Sequence, residues 1–192
     1  MTIVLIGGDQ RTKTHSAEEI GAKAANLARM AALGLPVPPA FVLPISLCAR
    51  ISAGDEKAEH ELDQGLMQGI DFLERATGRR LGDRRRPLLV SVRSGAARSM
   101  PGMMDTVLDV GASSTAIAGL VRMTGDPRFA WDCRRRFIES YATLVRGIDP
   151  GRFATALAKV VADERVASDS DLDGEAMERA SDQPLRQNQR RR

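Results

Sequence analysis

The chain has 192 residues, 43% of them hydrophobic and 28% charged, a balance that fits a soluble globular protein and excludes fibrous and low-complexity classes. A chain of this size buries about 70% of its unfolded surface, enough for one sizeable core or two small ones. No apolar run approaches the ~20 residues of a membrane span and no signal-peptide pattern opens the chain, so no membrane partner and a cytoplasmic location are expected.

In chain order, Ile3 to Ile6 form a short apolar segment. Ala24, Leu27, Ala28 and Ala31 recur at helical spacing within 16–33. Ser16 with Glu19 fits a capping box, but Gly21 interrupts the run, so a helix starting near Gly21 presents its amino end around Lys23. Gly34 stops it, and Leu35-Pro36-Val37-Pro38-Pro39 predicts an extended connector, since proline lacks an amide donor and pushes its predecessor to extended geometry. Phe41 to Leu43 follow.

A second helix is predicted from Leu62, Leu66, Ile70 and Leu73, ending at Gly78. Arg84, Arg85 and Arg86 make a basic turn, and Leu88 to Val92 read as a buried strand that delivers Arg93. From Arg93 to Thr106 the small and turn-forming residues predict a loop, and Val107, Leu108 and Val110 a further strand. Beyond Gly111 the pattern turns helical: 114–123, then Asp126-Pro127 opening a helix through Val145, then Asp149-Pro150 opening one through Val161. Each pair places an acidic N-cap before a proline at the first helical position. Phe129, Cys133, Phe137 and Leu144 are expected along the buried stripe of the long helix. Apolar content fades after Met177, and 181–192 are expected to be a disordered tail.

Cys48 and Cys133 lie far apart and read as buried reduced thiols, and His15 and His60 join no cluster, so no metal ligands are assigned. The 28 basic and 25 acidic residues leave a net charge of +3, and the arginine runs, including Arg190 to Arg192, read as solvated. With seven aromatic residues in the chain, base-stacking platforms are not expected, and nucleic acid is not assigned as a partner.

Two places suit a phosphate. In Gly21-Ala22-Lys23-Ala24-Ala25-Asn26-Leu27 a lysine stands near a helix start, where ammonium and free amides meet an anion together. The bland reading of Lys23 is a solvated helix face. At the end of the Leu88–Val92 strand, Arg93 is fixed by its strand while Gly95 and Gly102 let backbone amides approach an oxyanion. There the bland reading is a surface turn with a salt-bridged arginine.

The exact residues go further. Leu88-Leu89-Val90-Ser91-Val92-Arg93-Ser94-Gly95-Ala96 followed by Ser99-Met100-Pro101-Gly102-Met103-Met104-Asp105-Thr106-Val107-Leu108 resembles the signature of the nucleotide-binding domain of the pyruvate phosphate dikinase family. Lys23 to Ala28 with Gly34 to Pro39, Gly125 to Ala130 with Arg135 to Ile138, and the acidic stretch Asp169 to Asp173 agree in order and spacing, from about residue 15 to 180. The resemblance implies an α/β (α+β) fold: the first part of an ATP-grasp-like domain, with residues 1–111 as its α/β part and 112–180 as an adjoining helical subdomain. It implies that Lys23 and Arg93, with Ser94 beside it, hold the phosphates of ATP, and that Gly102, Met103, Met104 and Asp105 cover the terminal phosphate. In that family ATP gives a pyrophosphoryl group to a histidine on a separate domain, and a third domain passes phosphate to pyruvate to make phosphoenolpyruvate. Phosphoryl transfer of this kind rests on positioned positive charge and amide donors.

Where the family has Gly-Gly-Lys-Gly this chain has Gly21-Ala22-Lys23-Ala24, and Ala40 stands where glycine is usual. The family's Mg2+ ligands, phospho-histidine and pyruvate site have no counterpart in this sequence, and no catalytic residue is assigned. The expectation is a truncated ATP-binding portion, incomplete by itself, whose partners are a nucleotide and a protein supplying the other half of the site. The alternative is a non-catalytic interaction module that keeps the fold.

Overall fold

Residues 3–8, 13–94 and 106–189 are described by the structure, a computed structural model. The chain divides into two compact units, one of Met1–Arg79 with Ser94–Met104 and one of Arg80–Arg93 with Asp105–Arg192. Both combine helices with short strands, so the mixed α/β class read from the sequence holds.

In the first unit the apolar triplet becomes strand β1 (Val4–Ile6). Ser16 caps the single turn α1 (Ala17–Ile20) by accepting the Glu19 N–H at 3.3 Å. The Glu19 carboxylate turns to His15 Nδ1 at 3.1 Å rather than back to Ser16, so only one arm of the capping box forms. Gly21 then takes φ 87°, ψ 150°, and the helix restarts as α2 (Ala22–Ala32). Only glycine enters that conformation without a Cβ penalty, which is why Gly21 interrupts the run and the helix carrying Lys23 starts just after it, as the sequence predicts. The proline connector leads to β2 (Ala40–Val42), antiparallel to β1 with Ile6 opposite Ala40. Val4, Ile6, Ile20 and Ala28 form the buried cluster between these elements, with Ala24, Ala40 and Val42 packed against it.

Pro44 precedes α3 (Ile45–Ser52), a helix whose eight residues carry too little periodicity to be read from sequence. Asp55 caps α4 (Glu56–Thr77) through the Lys57 N–H at 3.0 Å and the Ala58 N–H at 3.4 Å. Arg50 at the end of α3 reaches both Asp55, at 2.8 Å, and Glu61, at 2.9 Å, tying the two helices at their turn. The buried face of α4 is Ala58, Gly65, Gly69, Phe72 and Leu73, whereas Leu66 is exposed. The Phe41 ring of β2 lies where a side chain at Gly69 would be, so the helix turns its glycines rather than its bulkiest stripe toward the sheet. Gly78 ends α4 in the left-handed conformation, as expected of a C-terminal glycine.

The second unit begins with β3 (Arg80–Leu81) and β4 (Pro87–Leu88), a parallel pair around the arginine turn. Asp83 rigidifies that turn by accepting the Arg85 and Arg86 N–H groups at 2.5 and 2.8 Å, while the Arg84, Arg85 and Arg86 side chains stay exposed. The predicted single strand 88–92 is thus split, its second part being β5 (Val90–Arg93), antiparallel to β6 (Thr106–Val110). Helices α5 (Ser114–Thr124), α6 (Pro127–Arg146) and α7 (Gly151–Glu164) match the sequence reading. Asp126 caps α6 through the Phe129 N–H at 3.0 Å, but at α7 Pro150 itself occupies the cap position and Asp149 bonds the Gly151 N–H at 2.9 Å.

A final helix, α8 (Gly174–Gln189), continues through the residues whose polar composition predicts a disordered tail from 181. It is held by Leu172, Ala176, Met177 and Ala180 packed on Val160, with Trp131, Leu157 and Val161 around them. Ser181 is buried at 1% exposure, its hydroxyl donating to the Glu178 carbonyl at 2.9 Å. Helix α6 packs against α5, α8 and β6, which is why the division of the chain falls at residue 79 and not at 111: the strands around Arg93 belong with the helices.

Contact on several sides also changes which residues α6 buries. Ala130, Cys133 and Ala142 are buried, Phe137 is half-buried, and Phe129 and Leu144 are 46% and 37% exposed. Small side chains let neighbours approach closely, while Phe129, in the first turn, is left outside. Cys48 of α3 is exposed, contrary to the sequence expectation, whereas Cys133 is buried. Among the described residues no helix is long and apolar enough to cross a membrane.

Close approach is exacting at Gly119 of α5, where a Cβ would stand 2.7 Å from both the Arg84 carbonyl oxygen and Pro87 Cδ. Backbone cannot retreat as a flexible side chain can, so Gly119→Ala is expected to cost about 1–3 kcal/mol. Chemical denaturation measures this, and an unchanged midpoint and slope would contradict the packing described.

Candidate functional site

Lys23 is the second residue of α2, in the first unit, and its side chain is exposed. Gly21 precedes the helix without supplying a capping side chain. The amides of Ala22, Lys23 and Ala24 therefore begin the helix with no intrahelical acceptor, the first helical bond being Ala25 N–H to the Gly21 carbonyl at 2.9 Å. Such amides and the helix dipole favour an anion, and the Lys23 ammonium adds a full charge beside them. Ala24 and Ala40, which replace glycines of the resembled family, are both half-buried and pack against the β1–α2 cluster, so their methyl groups contribute to the core.

Arg93 closes β5 in the second unit, exposed and paired with Thr106 of β6, and Ser94 beside it is also exposed. Gly102, Met103, Met104 and Asp105 lie outside the described residues. Lys23 and Arg93 thus stand on different units, each at the end of an element and each open to solvent. Among the described residues no three His, Cys, Asp or Glu side chains gather as metal ligands.

The hairpin that carries Arg93 is coupled to α6 through β6, a link between residues distant in sequence that local patterning does not reveal. Asp109 of β6 adopts φ 52°, a left-handed conformation that short polar side chains tolerate. Burial pushes its carboxyl above the usual range; the nearby Arg136 pulls the other way and the Asp132 carboxylate reinforces the rise. At Asp132 burial also opposes the charge, but hydrogen bonds from Arg136 and Arg135, at 2.8 and 2.9 Å, hold the carboxyl below the usual range. Between them, burial pushes the Cys133 thiol up to about 12, so it stays protonated and unreactive at neutral pH. The signal in the sequence for Asp132 and Arg136 was their spacing, four residues apart on one helix face.

The raised Asp109 carboxyl fixes a sign. A folded-state group that holds its proton more tightly than the unfolded chain makes stability fall as pH rises from the ordinary value, 3.8, through the folded one. Asp109→Asn removes that penalty, so its melting temperature should exceed the parent's at about pH 7, with the gain shrinking toward about pH 3. Thermal denaturation across pH checks this; a gain independent of pH would contradict it.

No family model matches the chain. Individual proteins do. The chain is 39% identical over 153 residues to pyruvate, phosphate dikinase of Clostridium symbiosum, covering 80% of this chain and 18% of that protein. It is 43% identical over 150 residues to the Rhizobium meliloti (strain 1021) pyruvate, phosphate dikinase, covering 78% and 17%. With the chloroplastic pyruvate, phosphate dikinase 1 of Arabidopsis thaliana identity is 41% over 153 residues, covering 80% and 16%. The chain therefore spans less than a fifth of the length of these curated relatives. Identity of this level along four-fifths of the chain agrees with the signature around Arg93, and the chain belongs to the pyruvate, phosphate dikinase family, matching one stretch of those proteins.

Proposed function

We propose that this chain is an ATP-binding portion of a dikinase-type phosphotransferase, with an ATP-grasp-like architecture, in which Lys23 and Arg93 hold phosphate oxygens of the nucleotide. Ser94 and the segment Gly102, Met103, Met104 and Asp105 complete the phosphate contacts in this reading. The observation that carries it is the start of α2: a helix opened by a glycine that leaves its first amides uncapped, with Lys23 among them. A phosphate fits that chemistry, since it accepts from several amides at once and neutralises the ammonium. Arg93 adds a planar donor fork on a strand end, where the backbone on one side is fixed by pairing with Thr106.

Transfer to a phospho-accepting histidine and then to pyruvate is proposed only for an assembly that supplies those groups and the Mg2+ ligands. In-line positioning and metal neutralisation are needed as well as anion contacts, and the residues proposed here supply the anion contacts. Cytoplasmic location and a protein partner completing the site belong to the same proposal. The exposed Tyr141, Leu144 and Val145 on the last turns of α6 favour a second reading, a non-catalytic module that meets another protein through apolar contact.

Thermal denaturation with and without ATP separates the two. A ligand at ten times its dissociation constant stabilises the folded state by about 1.4 kcal/mol, so a small upward shift is expected. Arg93→Ala should abolish the shift while leaving the unliganded melting temperature near the parent's, because Arg93 is exposed. The purified chain alone should form no phosphoenolpyruvate from ATP, phosphate and pyruvate with magnesium present. Equal ATP binding without Arg93 would sink the phosphate assignment and leave the interaction reading.

A further inference from the structure

The β5–β6 hairpin departs from a regular ladder at one place. Val92 pairs with Val107 and Val90 with Val110, so β5 spends one residue, Ser91, where β6 spends two, Leu108 and Asp109. This is a bulge, and the left-handed Asp109 lies in it. A bulge twists its strand and changes where the following side chains point. It also has to be held, because a pairing shifted by one residue turns every side chain of the strand over.

What holds it is α6. The Leu108 N–H donates to Ser140 Oγ at 3.1 Å, and the Ser140 hydroxyl donates in turn to the Arg136 carbonyl at 2.7 Å. Arg136 is anchored by Asp132 at 2.8 Å, and Arg136 and Asp132 both act on Asp109. Asp132, Arg136 and Ser140 recur every four residues, so one line along the helix faces both bulge residues: the Ser140 hydroxyl holds the Leu108 amide, while Arg136 favours and Asp132 opposes a charge on Asp109. From there the ladder runs through Val107 to Thr106, opposite Arg93.

We infer that Ser140 is a positioning residue for Arg93: by accepting the Leu108 amide it pins the bulge, and the bulge sets where the strand pair ends and Arg93 is presented. The consequence for binding rests on the reading of Arg93 as a phosphate ligand; the pinning of the bulge does not. Ser140 touches no proposed ligand group itself.

The test compares Ser140→Ala and Ser140→Thr by amide hydrogen exchange followed by NMR, with ATP affinity measured on the same samples. Losing the acceptor should speed exchange at Leu108 about tenfold, the factor that corresponds to one hydrogen bond, while α8 amides keep their rates. ATP affinity should fall about fivefold in Ser140→Ala, and Ser140→Thr, which keeps a hydroxyl, should restore both readouts. Ser140→Cys, close in size but a poor acceptor, is expected to behave like the alanine variant and replaces it should that variant fail to fold. Unchanged Leu108 exchange in the acceptor-deficient variants overturns the inference. So does unchanged ATP affinity where Arg93→Ala weakens it. Should the parent chain not bind ATP while Leu108 still responds, the phosphate reading fails and takes the positioning role with it, leaving only the pinned bulge.

Discussion

The second unit depends on the contact between the bulged strand β6 and helix α6. A bulge leaves backbone groups outside the ladder, and a half-buried amide without an acceptor costs about 1–3 kcal/mol. Ser140 supplies that acceptor, and its own proton goes to the Arg136 carbonyl, so the helix satisfies the strand without exposing a donor of its own. The pairing of Arg93 with Thr106 lies a few residues along the same ladder. Helix α6 carries this while also packing on α5 and α8, and it manages three neighbours by burying Ala130, Cys133 and Ala142 where larger side chains would hold them off.

The first unit solves a different problem with a comparable device. A continuous helix from Ser16 would spend its amino-terminal amides on a capped first turn. Gly21, at φ 87°, breaks the run and creates a second helix start at Ala22, and Lys23 sits in that first turn. The alanines that stand for the family's glycines do not undo this. Ala24 packs into the cluster beneath α2, and alanine in place of glycine favours a helix by up to about 1 kcal/mol. The proposed anion site therefore keeps its amides, while the neighbouring positions serve the core.

Much of this was legible in the sequence because glycine and proline act locally. Gly34, Gly78 and the Asp126-Pro127 pair mark boundaries through backbone geometry alone, and each stands where the sequence places it. Helix α3 and the continuation of α8 past residue 181 were not legible, since α3 is too short for periodicity and the polar composition after Met177 shows no apolar stripe. The buried face of α6 differs from the predicted stripe for a related reason: size predicts burial only until a close neighbour demands a small side chain such as Ala130 or Ala142. Lys23 and Arg93 are singled out by local pattern and family signature as the proposed phosphate contacts. Ser140 and Asp109 are not, because their roles arise from a contact spanning 32 residues that no local pattern announces.

In the proposed reading this chain recognises the phosphates of a nucleotide rather than its base or a protein surface. Calorimetric titration of the full chain with ATP, ADP and AMP at fixed ionic strength tests it most directly. If charge and amide donors on α2 and Arg93 carry the binding, affinity falls at each loss of a phosphate and weakens as salt is raised. Equal affinity for AMP and ATP, or binding indifferent to salt, would contradict the account.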